Sequence, residues 1–106
     1  MRVLLCSPTG TKVVDGIPIK VGILDKHFAV TPCWLSSKFL VENRYNVTHI
    51  PSGCCYAAWA KSAKAAKAMF EEKILQIGKT RYQKVIRQAM KKRLEQEKQH
   101  PEWFKE

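Results

Sequence analysis

The sequence predicts an α+β domain in which an antiparallel, hairpinned β-sheet is followed by two C-terminal α-helices. Residues 2–60 contain short apolar runs separated by turn-forming Pro, Gly and Asp residues, a pattern typical of hairpins. Residues 62–98 repeat their apolar side chains every three or four positions, which is typical of amphipathic helices. We expect a single domain over residues 1–106, β-rich over 1–60 and helical over 62–98, with the first helix packed on the sheet and a C-terminal tail at 99–106.

The composition of the chain favours a negatively charged partner. Its 106 residues are 45% hydrophobic and 26% charged, which suits one globular domain with a modest core. The formal net charge is +10, divided unevenly as +3 over residues 1–52 and +7 over residues 53–106. A charge of this size favours nucleic acid, an acidic protein surface or anionic lipid. We therefore look for the partner's binding site in the second half.

The apolar runs are too short for a secretory signal or a membrane span. The run after Arg2 ends at Ser7-Pro8, well short of a signal peptide's apolar region. No other apolar run approaches the length of a bilayer-spanning helix. We expect a cytoplasmic protein with no membrane partner. In a reducing cytosol its cysteines are predicted to be free and buried. They are Cys6, Cys33, Cys54 and Cys55.

The first thirty-two residues predict four strands joined by turns. Asp15-Gly16 is a favoured dipeptide for a tight hairpin, here between residues 12–14 and 17–24. Pro18 cannot donate a ladder hydrogen bond, which places it at a sheet edge or near a strand start. Pro32 is expected to end the strand that begins at Phe28. Two further predictions are a first strand over 2–6 and turns at 7–10 and 25–27.

Residues 33–60 predict a second hairpin. Polar residues interrupt the apolar ones over 33–44, which favours a loop with a short strand or a helical turn. Residues 45–50 alternate as a strand, and Pro51-Ser52-Gly53 is a turn by composition. Residues 54–59 are predicted to return as the partner strand, although the alanines there leave a helix open as the alternative. We expect Trp59 to be buried under the helix that follows, with base stacking by Tyr45, Tyr56 and Trp59 as the alternative.

Two helices are predicted after Ser62, which is a good N-cap residue. The first has a core face of small and large apolar residues, namely Ala63, Ala66, Phe70, Ile74 and Ile77. Gly78 is the expected stop. Thr80 and Gln83 have the spacing of a capping box that starts the second helix, which is expected to run to about Lys98. Trp103 and Phe104 follow in a polar tail, so they are predicted to pack on this chain or on a partner.

The second helix carries the clearest functional signal. Residues 79–94 hold seven Lys or Arg residues and no Asp or Glu. Such charges repel one another and lower helix stability, which suggests a negative partner. The alternative is a solvated helix face. The predicted binding residues are Arg81, Lys84, Arg87, Lys91, Lys92 and Arg93, extended by Lys64 and Lys67 if the two helices pack antiparallel.

No pattern in the sequence supports catalysis, a metal site or a cofactor. The cysteines and histidines lack the paired spacing of zinc ligands, and the five glycines form no phosphate-binding loop. A cysteine nucleophile would need a nearby histidine, and His49 lies across the predicted turn from Cys54 and Cys55. We regard that arrangement as a hypothesis that no local signature supports. The expected protein is not an enzyme.

One segment resembles a known class of proteins. The run Tyr45-Asn46-Val47-Thr48-His49-Ile50-Pro51-Ser52-Gly53, followed by Ser62-Ala63-Lys64-Ala65-Ala66, is similar to a strand–turn–strand–helix segment of small phage, prophage and mobile-element accessory proteins. Anti-CRISPR-type inhibitors are among them. The resemblance covers about a quarter of the chain and implies a non-enzymatic binder of a host nucleoprotein machine. It transfers no catalytic residues. Many such inhibitors are acidic mimics of nucleic acid, whereas this chain is basic.

Two functions follow as expectations. The first is a small basic, non-catalytic protein that engages nucleic acid or a nucleoprotein complex through the Lys/Arg-rich helix. The second is a mobile-element inhibitor of a host defence complex that binds a host protein directly. Direct binding would use exposed apolar side chains, for which the sequence offers Trp34, Trp103 and Phe104.

Overall fold

The computed structural model describes residues 1–7, 10–20, 27–36 and 39–104, with strand residues 34–36, 39, 40 and 42 described by their backbone alone. Within these ranges the strands precede the helices, which confirms the predicted α+β class. The strands are β1 (Arg2–Ser7), β2 (Gly10–Asp15), β3 (Ile17–Ile19), β4 (Phe28–Ser36), β5 (Phe39–His49) and β6 (Cys54–Ala60). The helices are α1 (Ala63–Ile77) and α2 (Lys79–Gln99), followed by a 3₁₀ turn (Pro101–Phe104).

The strands form two antiparallel sheets rather than one. β1 pairs with β2, and the other four strands form a sheet in the order β3-β4-β5-β6. The prediction of a hairpin at Asp15-Gly16 is wrong, because the strands on its two sides belong to different sheets. A Cβ atom at the buried Gly16 would lie 2.8 Å from Val3 Cγ2 and 3.2 Å from Ala29 Cβ. Glycine is thus required here by a close crossing between the sheets.

The ribbon formed by β4 and β5 is longer than predicted. Pro32 does not end its strand, since β4 continues to Ser36 and β5 begins at Phe39. The predicted loop over 33–44 is therefore wrong for residues 33–36 and 39–44. A register shift between Pro32 and Cys33 explains how the strand tolerates proline, which is common at bulges. The predicted turns at 7–10 and 25–27 include Pro8-Thr9 and Asp25-Lys26, and these, like residues 21–24 of the predicted strand, lie outside the described residues.

Two other strand predictions are confirmed. Residues 54–60 form strand β6, paired antiparallel with β5, so the helical alternative is excluded. Pro18 lies in β3, an edge strand of the four-stranded sheet, where its missing donor costs no ladder bond toward a further strand.

The four-stranded sheet is the middle layer of three. Phe28 and Val30 of β4 face the helices, and Ala29 between them faces the β1–β2 sheet, as the alternation of a strand requires. The larger core lies on the helix side and contains Phe28, Val30, Val47, Ala58, Ala60, Ala66, Phe70, Ile74 and Ile86. The smaller core lies on the other side and contains Val3, Leu5, Val14 and Ala29.

The helix ends follow the sequence except at the start of α2. The Ser62 side chain accepts a hydrogen bond from the Ala65 amide at 3.1 Å, which confirms the predicted N-cap. Gly78, with φ of +85°, ends α1 as predicted. The capping box is wrong: α2 begins at Lys79, one residue before Thr80, and no side chain caps it. Gly78 provides the N-cap position itself, so the Thr80 hydroxyl is already inside the helix.

Helix α2 begins in the helix layer and reaches the β1–β2 sheet at its C-terminal end. Near its start, Ile86 packs in the larger core. Near its end, the Gln96 side-chain amide donates a hydrogen bond to the Ser7 carbonyl at 2.9 Å. The Thr11 hydroxyl donates to the carbonyl of Trp103, in the 3₁₀ turn, at 2.6 Å. One helix thereby joins both faces of the middle sheet. Among the described residues, neither helix combines the length and apolar character needed to cross a lipid bilayer.

Candidate nucleic-acid interface

Five cationic side chains lie on the outward surface of α2, and we call this set the basic face. They are Arg81, Lys84, Arg87, Lys91 and Lys92, and all five are exposed. Their direction follows from the burial of Ile86, because each residue turns the helix by about 100° and all five lie at least about 100° from it. The predicted amphipathic helix is present in part: Ile86 is buried in the core, whereas Val85 and Leu94 are largely exposed.

Among the residues that the structure describes, no ion pair includes a cation of the basic face. Within the described part of the chain, the ion pairs are Arg93–Glu97 and His100–Glu102, and neither includes a residue of the basic face. Residues three or four positions apart on a helix are neighbours, so Lys84 and Arg87, and Arg87 and Lys91, repel each other. A polyanion bound along the helix would replace this repulsion with attraction.

Lys64 and Lys67 lie on the other helix. Lys64 is exposed and Lys67 is half-buried, and both belong to the first two turns of α1. The helices meet through Phe70 and Tyr82, whose ring centroids lie 5.5 Å apart. Both lysines are N-terminal to that contact on α1, at the end far from Gly78. Their contribution to the basic face stays a prediction.

Arg93 does not belong to the basic face. Its guanidinium pairs with Glu97 at 3.0 Å, donates to the Pro51 carbonyl at 2.6 Å and lies 5.4 Å from the ring centroid of Phe104. These contacts hold α2 against the β5–β6 turn and the 3₁₀ turn. The sequence contains a signal for this placement, because Arg93 follows Ile86 by seven residues and so lies on the same side of the helix.

A groove separates the 3₁₀ turn from the outer surface of the β1–β2 sheet. Its volume is about 600 Å³. The described residues that line it are Arg2, Leu4, Thr11, Lys12, Val13, Arg93, Trp103 and Phe104. We call this the cationic groove. Trp103 and Phe104 are half-buried here, so the two aromatics of the tail pack on this chain. Sequence reasoning missed the groove because its walls come from opposite ends of the chain.

Trp34 and Trp59 both lie in strands of the four-stranded sheet. The backbone of Trp34 lies in β4 opposite Leu40, and its side chain is outside the described part. Trp59 is 47% exposed, so its predicted burial under α1 is wrong. Its φ of +51° accompanies an irregular stretch of the β5–β6 register, and its amide donates to Asn46 Oδ1 at 3.0 Å. Such an irregularity redirects a side chain, which explains the exposure.

The three aromatics considered for base stacking do not form one platform. Tyr45 and Tyr56 are partly buried against the larger core, on the helix side of the sheet. Tyr56 lies 5.5 Å from Phe70, measured between ring centroids. Trp59 alternates along β6 with Ala58 and Ala60, which are part of that core, and is itself exposed. The sheet therefore lacks an open face on which these rings could stack successive bases together.

The Cys54–Cys55–His49 group lies around a small cavity of about 130 Å³. His49 Nδ1 shares a hydrogen bond of 2.8 Å with the Ser52 hydroxyl, which also accepts the Cys54 amide. Burial raises the pKa of the Cys55 thiol to about 11, although the Thr48 hydroxyl 3.1 Å away opposes this rise. Cys55 is thus a neutral thiol at physiological pH, which disfavours it as a nucleophile. The polar contacts of His49 and Ser52 shape the β5–β6 turn.

Among the described residues, no three Cys, His, Asp or Glu side chains come together as a metal site. Comparisons with known proteins give no relative: no protein-family model, curated protein or solved structure matches this chain. The function must therefore be argued from the basic face and the cationic groove.

Proposed function

We propose that the protein is a small, non-catalytic binding protein that engages nucleic acid, free or within a nucleoprotein complex, through the basic face of α2. The observation that supports this most directly is the row of five exposed cations without an ion-pair partner in the described chain. Arg81 and Lys92 are eleven residues apart, so the row extends about 17 Å along the helix. Over that length duplex DNA presents about ten phosphate charges.

The mode of binding follows from the type of side chain. Lysine and arginine at a phosphate backbone give affinity with little dependence on base sequence. Five phosphate contacts predict a slope near −4.5 for the logarithm of the association constant against the logarithm of salt concentration. Raising the salt from about 50 to about 200 mM should then weaken duplex binding about 500-fold.

Charge reversal on the helix tests the proposal. The variant Arg87→Glu/Lys91→Glu reverses two central cations, and Lys61→Glu/Lys73→Glu is a matched control with the same change in net charge at exposed positions outside α2. Fluorescence anisotropy with a labelled duplex at low salt should show a loss of affinity of at least about 30-fold for the first variant and at most about fivefold for the control. Equal losses would mean that only net charge matters, and the proposed face would be wrong.

A second candidate function is direct binding to a host protein, as in the mobile-element inhibitors that residues 45–53 and 62–66 resemble. An exposed apolar side chain beside the basic face favours it, since Leu94 is 56% exposed. Leu94 lies close to Arg87 and Lys91 around the axis of α2. A mixed apolar and basic surface fits an acidic protein groove better than a phosphate backbone, which offers apolar side chains little to contact.

Affinity purification from the native host at low and high salt separates the two candidates. Nucleic acid that is retained at low salt and lost at high salt supports the first function, because its binding is electrostatic. A protein retained at high salt, and lost when Leu94→Ser replaces the exposed leucine, supports the second. The matched control is Leu75→Ser, since Leu75 is even more exposed, at 69%, but lies on α1.

A further inference from the structure

We propose that the cationic groove binds one unpaired nucleotide of a single-stranded nucleic acid, with the base against Trp103 and Phe104 and the phosphate at Arg2 and Arg93. This inference rests on the proposed function and narrows it, because it makes a single strand the preferred ligand over a duplex. The volume of about 600 Å³ lies within the range of about 300–1,000 Å³ that is usual for small-ligand sites.

The chemistry of the lining supports a ligand that is both anionic and aromatic. The described lining residues include three cations, Arg2, Lys12 and Arg93, and no Asp or Glu. They also include two aromatic side chains, Trp103 and Phe104. Cations alone would suit any anion, and aromatics alone would suit any apolar group. A nucleotide satisfies both, because its phosphate is charged and its base has a flat face that stacks on aromatic rings.

Contacts within the chain hold the tryptophan and arginine side chains of the groove in place. The Trp103 indole stacks on His100, with ring centroids 3.9 Å apart and an angle of 9° between the planes. Its carbonyl accepts the Thr11 hydroxyl at 2.6 Å, which ties the 3₁₀ turn to β2. The Arg93 guanidinium lies near Phe104 and is fixed by Glu97 and the Pro51 carbonyl. Prior ordering of this kind lowers the entropy lost on binding.

Arg93 keeps hydrogen-bonding capacity for a phosphate. A guanidinium has five N–H donors. In the described contacts, Nε donates to Glu97 and Nη1 donates to the Pro51 carbonyl. The remaining donors are sufficient for a phosphate oxygen in the groove. Arg93 also directly follows Lys92 of the basic face, so a strand of several nucleotides can place one base in the groove and its neighbouring phosphates along α2.

The preference for a single strand follows from the way bases are presented. In a duplex the bases are stacked and paired, so an aromatic side chain cannot reach a base face without unstacking it. In a single strand every base offers such a face, and stacking on an aromatic side chain contributes about 1–3 kcal/mol per base, about 5- to 150-fold in affinity. The aromatic side chains of the groove should therefore add affinity for a single strand and none for a duplex.

The test compares a 12-nucleotide oligothymidylate, a 24-base-pair duplex and thymidine monophosphate. We expect Trp103→Leu and Arg2→Gln each to weaken oligothymidylate binding at least fivefold while duplex binding changes less than twofold. The matched control is Trp59→Leu, which removes an exposed tryptophan that does not line the groove. Binding of the monophosphate that is lost with Trp103→Leu would confirm the groove as a nucleotide site, and its strength relative to the oligonucleotide shows whether a free nucleotide or a strand is the preferred source.

A second measurement leaves every groove residue unchanged, so it does not require a groove variant to fold. In the background Trp34→Phe/Trp59→Phe, Trp103 is the one remaining tryptophan of the three in the chain. Its fluorescence should be quenched by oligothymidylate and unchanged by the duplex, because only an unpaired base can stack on it. Unchanged fluorescence with bound oligothymidylate would overturn the inference.

The outcomes also separate this inference from the proposed function. If Arg87→Glu/Lys91→Glu weakens binding but Trp103→Leu and Arg2→Gln do not, the basic face stands and the groove inference is overturned. If the unmodified protein binds neither the oligothymidylate, the duplex nor thymidine monophosphate, both proposals fail. Binding of a glutamate-rich peptide that depends on Arg2 but not on Trp103 would identify an acidic peptide as the occupant and overturn the nucleotide.

Discussion

At the scale of single residues, the buried polar groups between the two sheets are arranged in a chain. The hydroxyl oxygens of Thr31 and Thr48 lie 2.8 Å apart across β4 and β5, and Thr48 also contacts the Cys55 sulfur at 3.1 Å. Both threonines are fully buried. An unpaired hydroxyl here would lose its hydrogen bonds to water without replacement. Removing either hydroxyl should therefore lower the free energy of unfolding of the protein.

A double-mutant cycle on this pair gives a prediction. Thr48→Val leaves the Thr31 hydroxyl without its partner and should lower the free energy of unfolding by about 1–3 kcal/mol. Thr31→Val should cost less, because Thr48 keeps Cys55. Urea denaturation of the double variant should show a loss smaller than the sum of the single losses by about 1 kcal/mol or more. Additive losses would contradict the coupling.

The raised pKa of the Cys55 thiol predicts that the free energy of unfolding falls at alkaline pH. Below about pH 9 the thiol is protonated in both states, so its contribution is fully present. Above that pH the unfolded chain releases the proton, whereas the folded thiol, whose pKa burial raises to about 11, retains it. The free energy of unfolding should therefore fall between about pH 9 and 11, by at most about 1.4 kcal/mol per pH unit from this group.

Urea denaturation at several values of pH between 8 and 11 measures this loss. Burial also raises the pKa of Cys6, so part of the slope is shared by any variant that keeps Cys6. Cys55→Ala should therefore show a shallower decline than the unmodified protein. Parallel curves for the two proteins would contradict the assignment to Cys55.

At the scale of elements, the helices were predictable because their signals are local. The spacing of Ala66, Phe70 and Ile74 marks the buried side of α1, and all three are buried. The β4–β5 ribbon was not predictable in the same way. β4 reaches Ser36 and β5 begins at Phe39, despite the polar residues there, because pairing with each other satisfies the backbone. Pairing between strands leaves no short-range pattern in the sequence.

The two predicted helix starts differ in a way that mutation can measure. Ser62→Ala removes the hydroxyl that accepts the Ala65 amide and should lower the free energy of unfolding by about 1 kcal/mol. Thr80→Ala should change it by no more than about 0.5 kcal/mol, because no side chain caps α2. Thermal or urea denaturation of the two variants checks the difference. A large loss from Thr80→Ala would show that the capping box forms after all.

At the scale of the whole molecule, the sequence predicts the class of the fold and the location of the excess charge. Hydrophobic periodicity placed the sheet before the helices, and charge counting placed the basic face on α2. The division into two sheets and the cationic groove depend on contacts such as Gln96 with Ser7, which are 89 residues apart. Nothing in local composition specifies contacts at that separation.

The net charge of +10 predicts that salt stabilises the fold. Screening weakens the repulsion between neighbouring cations such as Lys84 and Arg87, each pair contributing about 0.2–0.5 kcal/mol. Raising sodium chloride from about 10 to about 200 mM should increase the free energy of unfolding by about 1 kcal/mol. The same increase weakens binding to nucleic acid, so stability and affinity should respond in opposite directions. The variant Arg87→Glu/Lys91→Glu should show a smaller salt effect on stability than the unmodified protein.

The β1–β2 sheet is synthesised long before the 3₁₀ turn that packs on it, because that turn follows α2. Thr11 and Trp103, which meet in the finished fold, are separated by 92 residues. At about 5–20 residues per second, a ribosome needs roughly 5–20 s to make that stretch. Until then the outer surface of the β1–β2 sheet, with Leu4 and Val13, lacks the 3₁₀ turn that later faces it across the groove. A nascent chain should therefore expose this surface to chaperones until residues 101–104 have left the ribosome.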